Sequence, residues 1–438
     1  MNAVFYFIYE AFLWPIALFA FRLLALAVPK IKKGLAMRAP LGKTPPWLVA
    51  PANERPIWIH CASFEFEYAK PIITKLKERR PDLKILVTYF SPTLAPVAAK
   101  FPGVDHACPS PWDDRKTLRK FLEHHKPQAL LLARTDTWPV MLREARMAGV
   151  PSLLFSATLP PSSGRARGLG RILSRAVFSQ LSAIYCVSED DRATFASLGF
   201  GDLAEVVGDT RYDQVLARLK SPKPVKDALF SGKTNVLIAG SVWEEDSRSL
   251  IPCAALTKGK ISWVLVPHEP TPEALTELEA LIASHGLRSV RYSQTETWEA
   301  DSILVVDKLG ILAELYGKGR FAFVGGSFRK TVHSVMEPLA AGCVTFVGPH
   351  HQNNREAMEL KTIPLATAPG LHCVEVVADS REFAEKLGRL LEQNEPARAQ
   401  ILGEIEKRTG KSDVVVRWVL SRLIGTAPRI PSRETREI

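Results

Sequence analysis

The chain has 438 residues, of which 46% are hydrophobic and 24% are charged. This composition excludes a disordered protein, and the length exceeds what one hydrophobic core usually serves. The net charge of +11 arises in one half, since residues 1–200 carry 27 Lys and Arg against 15 Asp and Glu. A basic half favours anionic lipid, a phosphorylated substrate or nucleic acid as a partner.

The N-terminal segment Val4–Pro29 is almost entirely apolar and is interrupted by Glu10 and Arg22. Its longest uncharged run, Ala11–Phe21, is short for a span of about 20 residues, and no basic region precedes it as in a signal peptide. The basic residues that follow suit the cytoplasmic face of a membrane: Lys30, Lys32, Lys33 and Arg38. The pattern predicts a membrane anchor that lies in the interface or crosses once, with a buried core helix as the alternative.

The cysteines are widely scattered and form no CxxC pair: Cys61, Cys108, Cys186, Cys253, Cys343 and Cys373. This spacing predicts reduced, buried thiols in a cytosolic compartment. No zinc spacing is present either. The paired histidines at 124–125 and 350–351 are adjacent, and adjacent residues do not share a helix face.

From Pro56 onward, short apolar runs alternate with helical patterns, as in a doubly wound parallel sheet. The first series of predicted strands is Ile57–Cys61, Ile85–Tyr89, Ala129–Ala133, Ser152–Phe155 and Ile184–Val187. A polar break at Ser221–Lys233 separates it from a second series. This second series is Val236–Ala239, Trp263–Val266, Ile303–Val306, Phe321–Val324 and Val344–Val347.

Helices are predicted over Phe66–Arg80, after the cap Ser188 and over Thr271–His285. The tail Val414–Ile424 is amphipathic, and the residues from Ala427 are expected to be mobile. Two Rossmann-like domains therefore follow the anchor.

A glycine turn, Gly325-Gly326-Ser327, follows the predicted strand Phe321–Val324, and a short helix is expected around Met336–Ala341. Such a turn lets a ligand approach the backbone, and the helix beyond it offers N–H groups to a phosphate. Glu337 begins that helix, where an acid can accept both hydroxyls of a ribose. The unit is interpreted as half of a nucleotide-sugar site. An ordinary βαβ unit, with Glu337 favoured by the helix dipole, is the alternative.

Glu65 lies between a predicted strand end and a predicted helix start. A carboxylate there can take a proton from an attacking hydroxyl. The alternatives are an acid that merely favours the helix N-terminus and a base at Glu67, further into the helix.

Taken in order and spacing, a series of segments resembles the bacterial Kdo transferases, the 3-deoxy-D-manno-octulosonic acid transferases of lipid A assembly. The resemblance covers almost the whole chain. The segments are KIKKGLAMR, WIHCASFEF, LVTYFSPT, RTDTWP, VVGDTRYD, VPHEP, FAFVGGS, the His333-to-Glu337 stretch and VGPHHQNN.

The resemblance implies an α/β fold in which two Rossmann-like domains face each other across a cleft (GT-B), with an N-terminal membrane-anchor helix. The implied divisions are the anchor and basic segment at 1–40, an acceptor-binding domain at 41–219, a donor-binding domain at 220–410, and a C-terminal helix with a mobile tail at 411–438. The implied site is the cytoplasmic face of the bacterial inner membrane, with membrane lipids as partners.

The implied reaction is an inverting transfer of Kdo from CMP-Kdo to a lipid A precursor. It requires no metal and no cofactor besides the donor, and no nucleic acid is an expected partner. A paralogue that uses another nucleotide-activated sugar and an inactive lipid A-binding protein remain alternatives. The oligomeric state is not predicted.

The resemblance assigns the base to Glu65, which matches the family's Glu after Ser-x-Gly if that glycine is deleted between Phe64 and Glu65. The residues expected to bind the donor are Ser241, His268, Gly325, Gly326, Ser327, His333, Glu337 and Asn353. The residues expected to contact the acceptor are Arg134, Asp136, Arg165, Arg167, Arg171 and Arg175. Ser241 as a helix cap, Asn353 in a surface turn and the four later arginines as an exposed helix face are the alternatives.

Two further motifs depart from the family's pattern. Where the family has Glu-Thr-Glu-Leu-Trp-Pro, this chain has Arg134-Thr135-Asp136-Thr137-Trp138-Pro139. The acid replaced by a base bears on how the acceptor or the sugar carboxylate is held. Where the family has Gly-Gly-His-Asn, this chain has Thr331-Val332-His333-Ser334, which bears on the donor pocket.

Overall fold

The computed structural model of the chain describes residues 2–39, 45–49, 51–299, 301–393 and 397–424. Two compact units divide the chain. The first contains the residues up to Gln214 together with those from Thr409, and the second is Val215–Arg408. The tail that was predicted to be mobile, from Ala427, lies outside the described residues.

The first unit is built on a seven-stranded parallel sheet in the order β3-β2-β1-β4-β5-β6-β7. Its strands are β1 (Ile57–Cys61), β2 (Ile85–Tyr89), β3 (His106–Pro109), β4 (Ala129–Ala133), β5 (Ser152–Ala157), β6 (Ala183–Cys186) and β7 (Ala204–Val206). The chain reverses its direction of progress across the sheet between β1 and β4, which are neighbours. Doubly wound sheets bind ligands in the crevice at the carboxyl ends of such a strand pair.

Helices cover both faces of this sheet. In chain order the helices of this unit are α1 (Asn2–Ile8), α2 (Trp14–Leu24), α3 (Pro29–Ala36), α4 (Phe66–Arg79), α5 (Ala95–Lys100), α6 (Arg115–His125), α7 (Pro139–Met147), α8 (Gly168–Phe178) and α9 (Glu189–Ser197), and α10 (Arg211–Lys220) runs from this unit into the second. A π-helical turn, Tyr9–Leu13, joins α1 to α2. Ser188 caps α9 as predicted, since its side chain accepts the Asp191 N–H.

The second unit repeats the architecture with the strand order β10-β11-β9-β8-β12-β13-β14. The strands are β8 (Val236–Val242), β9 (Ser262–Pro267), β10 (Arg288–Arg291), β11 (Ser302–Val305), β12 (Phe321–Val324), β13 (Val344–Val347) and β14 (Val374–Val376). The helices are α11 (Glu244–Leu256), α12 (Pro272–Ser284), α13 (Leu312–Tyr316), α14 (Met336–Ala340), α15 (Arg355–Leu360), α16 (Ser380–Leu391) and α17 (Arg398–Glu406). Its switch point lies between β8 and β12, which pair in parallel.

The last helix, α18 (Lys411–Ile424), belongs to the first unit. Its apolar residues Val415, Val416 and Val419 are buried in the core cluster that also contains α4. Asp413 pairs with Lys75 and Arg79 of α4. The prediction of two Rossmann-like domains is confirmed. The C-terminal helix, which the sequence divisions set apart, packs on the first unit.

The four strands that the sequence did not predict are the four outermost strands of the two sheets: β3, β7, β10 and β14. Inner strands such as β1 and β4 are completely buried, and strands buried on both faces form continuous apolar runs. The outer strands are shorter or partly exposed, so their sequences lack that run.

The apolar N-terminal helix is present as predicted. Val4–Leu24 is long and apolar enough by length and composition to cross a membrane, with 21 residues and a mean hydropathy of 1.8. One side of it packs on the first unit, where Tyr6 and Trp14 are buried. The opposite side is exposed through Phe7, Phe12, Ile16, Phe19 and Leu23.

Polar contacts hold the same helix against the unit. The Tyr9 hydroxyl donates to Asp113 Oδ2 at 2.8 Å, and Glu10 pairs with Arg143 at 3.0 Å and with Arg115 at 3.0 Å. The charge that interrupts the apolar run therefore forms ion pairs within the unit. This helix is neither an isolated span nor a core helix, because one long side is attached to protein and the other is uncovered.

Candidate active site

Glu65 lies at the carboxyl end of β1, beside the first switch point, and immediately precedes α4. Its Oε2 accepts the Ser63 N–H at 2.8 Å, which holds the carboxylate over its own turn. Phe66 is buried and Phe64 is 82% exposed, so Glu65 sits half-buried at the surface of the core. No residue of this turn has a positive φ. The backbone therefore forms the turn without the glycine that the family has there.

Behind this turn, a buried polar chain runs across the sheet to the end of β4. Trp58 Nε1 donates to Thr88 Oγ1 at 2.8 Å, and Thr88 Oγ1 lies 2.9 Å from His60 Nδ1. His60 Nε2 lies 3.1 Å from Asp136 Oδ2, within ion-pair range but not aligned for a hydrogen bond.

Asp136 is consequently held in its charged form. Burial alone would raise its pKa, but the adjacent His60 ring and neighbouring hydrogen-bond donors outweigh burial and hold the pKa below its ordinary value. Both Asp136 and Glu65 lie close enough to Cys61 to contribute to raising the pKa of that buried thiol, for which burial is the main cause. The two predicted acids therefore lie near the same strand end.

Two arginines join these acids at the end of β4. Arg134 is exposed with φ +60°, a backbone conformation uncommon for residues other than glycine. Its guanidinium lies 5.7 Å from the centre of the Tyr68 ring, which Arg211 also contacts at 4.6 Å. Arg165 donates to the Thr135 carbonyl and to Thr137 Oγ1, and burial lowers its pKa.

The structure divides the predicted basic cluster. Arg165 turns inward, whereas Arg167, Arg171 and Arg175 follow one exposed side of α8 at a spacing of four residues. The same helix exposes Leu169, Ile172 and Leu173. Basic residues beside exposed apolar residues on one helix are typical of contact with a membrane interface.

The second switch point is formed by the ends of β8 and β12. Ser241 has φ +54°, and a Cβ on Gly325 would lie 2.1 Å from the Ser241 carbonyl oxygen. Gly326 has φ +83°, in the left-handed region that favours glycine. The packing of the two strand ends therefore requires the glycine turn, whatever the turn binds.

Asp246, which the sequence analysis missed, anchors this turn. Its carboxylate is fully buried and accepts the backbone N–H groups of Gly326 at 2.7 Å, Trp243 at 3.0 Å and Phe328 at 3.0 Å. Burial raises the pKa of Asp246, and these hydrogen bonds oppose that effect. An acid at the third position of a helix that follows a strand was the available signal, but it indicates an ordinary cap.

Ser327 is also fully buried. Its hydroxyl donates to the Val324 carbonyl at 2.9 Å and accepts the Gly348 N–H at 2.8 Å. The side chain thus joins the glycine turn to the end of β13, so any donor contact at this position would come from the backbone.

The structure brings the two predicted histidines together in an aromatic stack. The His268 ring faces both Trp243, at a centroid distance of 4.4 Å, and His333, at 4.6 Å, and the centroids of those two rings are 6.5 Å apart. Trp243 Nε1 donates to His333 Nε2 at 3.1 Å, so His333 is neutral with its proton on Nδ1. Burial, assisted by His268, lowers the pKa of His333 and favours the same neutral form.

Glu337 occupies the first turn of α14, as predicted, and is half-buried. Its Oε1 accepts a hydrogen bond from Arg218 Nη1 at 3.0 Å, and Arg218 also contacts Glu314 at 3.4 Å. A ribose at this site would therefore share the carboxylate with Arg218. Asn353 pairs with Val332 through both of its amide atoms, at 3.0 and 3.1 Å, and so fixes the loop that carries His333.

Within the described ranges, no cluster of three or more His, Cys, Asp or Glu side chains is arranged to hold a metal ion. All six cysteines are buried and unpaired with one another.

Comparison with known proteins identifies relatives of this chain. The profile of the 3-deoxy-D-manno-octulosonic-acid transferase (kdotransferase) family matches residues 35–214. The 3-deoxy-D-manno-octulosonic acid transferase of Bordetella pertussis is 28% identical over 69% of this chain and 73% of that protein. The enzyme of the same name from Haemophilus influenzae is 26% identical over 76% of this chain and 81% of that protein.

Solved structures share the fold at low identity. The UDP-GlcNAc 2-epimerase of Neisseria meningitidis, bound to UDP-GlcNAc, has a TM-score of 0.58 at 15% identity, covering 84% of this chain and 99% of that chain. The UDP-GlcNAc 2-epimerase of Methanocaldococcus jannaschii has a TM-score of 0.54 at 13% identity, covering 83% and 98%. These likenesses show the fold alone, because such folds host many functions.

Proposed function

Because residues 35–214 match the profile of the 3-deoxy-D-manno-octulosonic acid (Kdo) transferase family and transferases of that name align with most of the chain, we propose that this protein is a glycosyltransferase that moves Kdo from CMP-Kdo to a lipid A precursor. One observation carries the proposal. The predicted base Glu65 and Asp136 lie by the first switch point, and Ser241 with the glycine turn lies at the second. These are the positions at which doubly wound sheets bind ligands.

Glu65 acts as the general base in this proposal. Ser63 holds Oε2, whereas Oε1 accepts no hydrogen bond from any residue that the structure describes. The acceptor hydroxyl gives its proton to this carboxylate while its oxygen attacks the anomeric carbon. The bond from that carbon to the phosphate oxygen breaks, CMP leaves with the electron pair, and the anomeric centre is inverted.

The second unit stabilises the departing CMP. The backbone of the glycine turn, pinned by Asp246, and the Ser241 hydroxyl supply hydrogen-bond donors to developing phosphate charge. Glu337 binds the ribose hydroxyls, and the stacked rings of Trp243, His268 and His333 supply flat surfaces to the donor.

The acceptor binds to the first unit, next to the membrane. Arg134 and Arg165 contact its anionic groups, and the exposed arginines of α8 contact anionic lipid or acceptor phosphates. The apolar helix lies in the interface of the inner membrane at its cytoplasmic face. An interfacial position follows from its attachment, since Tyr9 and Glu10 bind the unit along one side while the other side is apolar and exposed.

The test is transfer by the purified full-length protein from CMP-Kdo to a lipid A precursor, followed by mass spectrometry of the product. Glu65→Gln is expected to abolish transfer while CMP binding persists, because only the proton acceptor is lost. Glu67→Gln is the matched control, since Glu67 is exposed and pairs with Lys70.

Each alternative has its own outcome. Product from other nucleotide sugars but not from CMP-Kdo would indicate a paralogue with another donor. Lipid binding without turnover of any donor would indicate an inactive binding protein. Transfer by Glu65→Gln at the wild-type rate would remove Glu65 from the role of base.

A further inference from the structure

We propose that a cavity beside the Glu65 turn holds a hydrocarbon chain of the acceptor, so that the N-terminal helices form part of the acceptor site. This inference rests on the proposed function. The cavity, here called the Phe90 cavity, has a volume of about 250 Å³. Its apolar walls come from α2 and α3 and from the loops after β2 and β3: Phe21, Ile31, Leu35, Phe90, Pro92 and Trp112.

Two polar side chains of the Phe90 cavity, those of Arg38 and Ser91, are engaged elsewhere. Arg38 is buried, and its guanidinium donates to the carbonyls of Ser110, Gly34, Tyr89 and Phe90 at 2.9–3.3 Å. The same guanidinium lies over the Phe90 and Trp112 rings, at 4.5 and 5.1 Å. Arg38 therefore shapes the wall instead of offering a charge to an anion.

Ser91 is likewise occupied, since its hydroxyl bonds to Thr93 at 2.8 Å. A cavity of about 150 Å³ with apolar walls already takes benzene as a guest. The Phe90 cavity is larger, so it has room for a longer hydrocarbon segment.

Two observations favour a chain that belongs to the acceptor. First, Ala62 and Ser63 form part of the wall, and the Ser63 N–H binds the Glu65 carboxylate. A chain seated there keeps its attached head group next to the proposed base. Second, the wall residue Phe21 is itself partly exposed and α2 exposes Leu24 one helical turn further on, so a chain can enter from a bilayer in which that helix lies.

Lys30 also lines the cavity and is exposed. An ammonium at that position suits the phosphate of a lipid whose chain is inside. The cavity thus combines an apolar interior with a cationic rim, the arrangement that an anionic lipid requires.

Gly34 provides a matched pair of variants. A Cβ at this position would lie 3.8 Å from Pro92 and 4.0 Å from Arg38, which is ordinary contact. Gly34→Ala therefore leaves the cavity open, whereas Gly34→Leu fills part of it. We expect Gly34→Leu to raise the KM for a chain-bearing acceptor by at least about tenfold, because several methylene groups lose their burial.

A deacylated, water-soluble acceptor separates the cavity from the catalytic groups. Gly34→Leu is expected to leave kcat/KM for this acceptor at the value of Gly34→Ala. Equal KM values of the two variants for the chain-bearing acceptor would overturn the inference. Failure of the wild type to transfer Kdo to either acceptor would instead refute the proposed function.

Cross-linking of the wild-type protein tests the cavity without relying on turnover or on a substituted fold. An acceptor with a photoreactive diazirine at the end of its chain is expected to label Ile31, Leu35 or Phe90. Labelling confined to the exposed residues of the N-terminal helix, such as Phe12 and Phe19, would overturn the inference. A phospholipid that carries the same diazirine is the second control. If it labels the cavity equally well and excess acceptor does not displace it, the guest is bulk lipid and the inference is overturned.

Discussion

The buried Asp246 carboxylate offers the sharpest test of the second switch point. Asp246→Ala leaves three backbone N–H groups without a partner, a buried one at Gly326 and partly buried ones at Trp243 and Phe328. Each unsatisfied group costs about 1–3 kcal/mol. Burial raises the pKa of the Asp246 carboxyl, so removal of this buried group offsets part of that cost. We expect a net loss of about 3 kcal/mol, at the low end of the sum.

Thermal unfolding of the purified protein measures this loss. For a unit of this size, about 3 kcal/mol corresponds to a fall in Tm of about 6–12 °C. Asp246→Asn is expected to fall between the wild type and alanine. Its remaining oxygen can still accept from Gly326 and Trp243, which share Oδ2, while its amide faces the third N–H. CMP binding, measured by calorimetry, is expected to weaken in the same order because the glycine turn is released.

The control for this series is Glu277→Ala, which removes an acid from the exposed side of α12. It is expected to change stability by less than about 0.5 kcal/mol. A Tm of Asp246→Ala equal to that of the wild type would contradict the role of Asp246 in holding the turn. A lower Tm for Asp246→Asn than for Asp246→Ala would do the same.

Three further outcomes are expected. Trp14→Ala should destabilise the packing of the N-terminal helix on the first unit by about 3–5 kcal/mol, whereas the exposed Phe19→Ala should not. The measurement is the rate of proteolytic release of that helix in detergent, and equal rates for the two variants would contradict this packing. Gly325→Ala should destabilise the second unit because its Cβ would lie 2.1 Å from backbone, whereas Gly388→Ala, within α16 and without close neighbours, should stabilise it by about 0.5–1 kcal/mol in denaturant titrations. The pKa of Asp136 is depressed in the folded state, so the charged carboxylate contributes its full stabilisation of the fold above its ordinary pKa of 3.8 and loses it as the pH falls through the lower folded value. On acidification below about pH 4, the wild type should therefore lose more stability than Asp136→Asn.

The inner strands and the family resemblance could be read from the sequence. Strands such as Ile57–Cys61 and Phe321–Val324 are buried on both faces, so each forms a run of apolar residues that predicts a strand without knowledge of its neighbours in the sheet. The Gly325-Gly326 turn could also be predicted from the sequence, because a backbone position that is left-handed or crowded admits few residues other than glycine. Motif order along the chain indicated the resemblance to the Kdo transferases, and the matches to that family's profile and to its curated members agree with it.

The side chains that hold those motifs in place could be identified only from tertiary contacts. Asp246 binds a turn 80 residues away, and His60 meets Asp136 across two strands. Arg165 leaves its neighbours on α8 to bind the loop after β4. The outer strands, too, became visible only through the inner strands they pair with. Local patterns record burial and backbone conformation, whereas these contacts join residues distant in sequence, and their identity follows from the packing of the sheet.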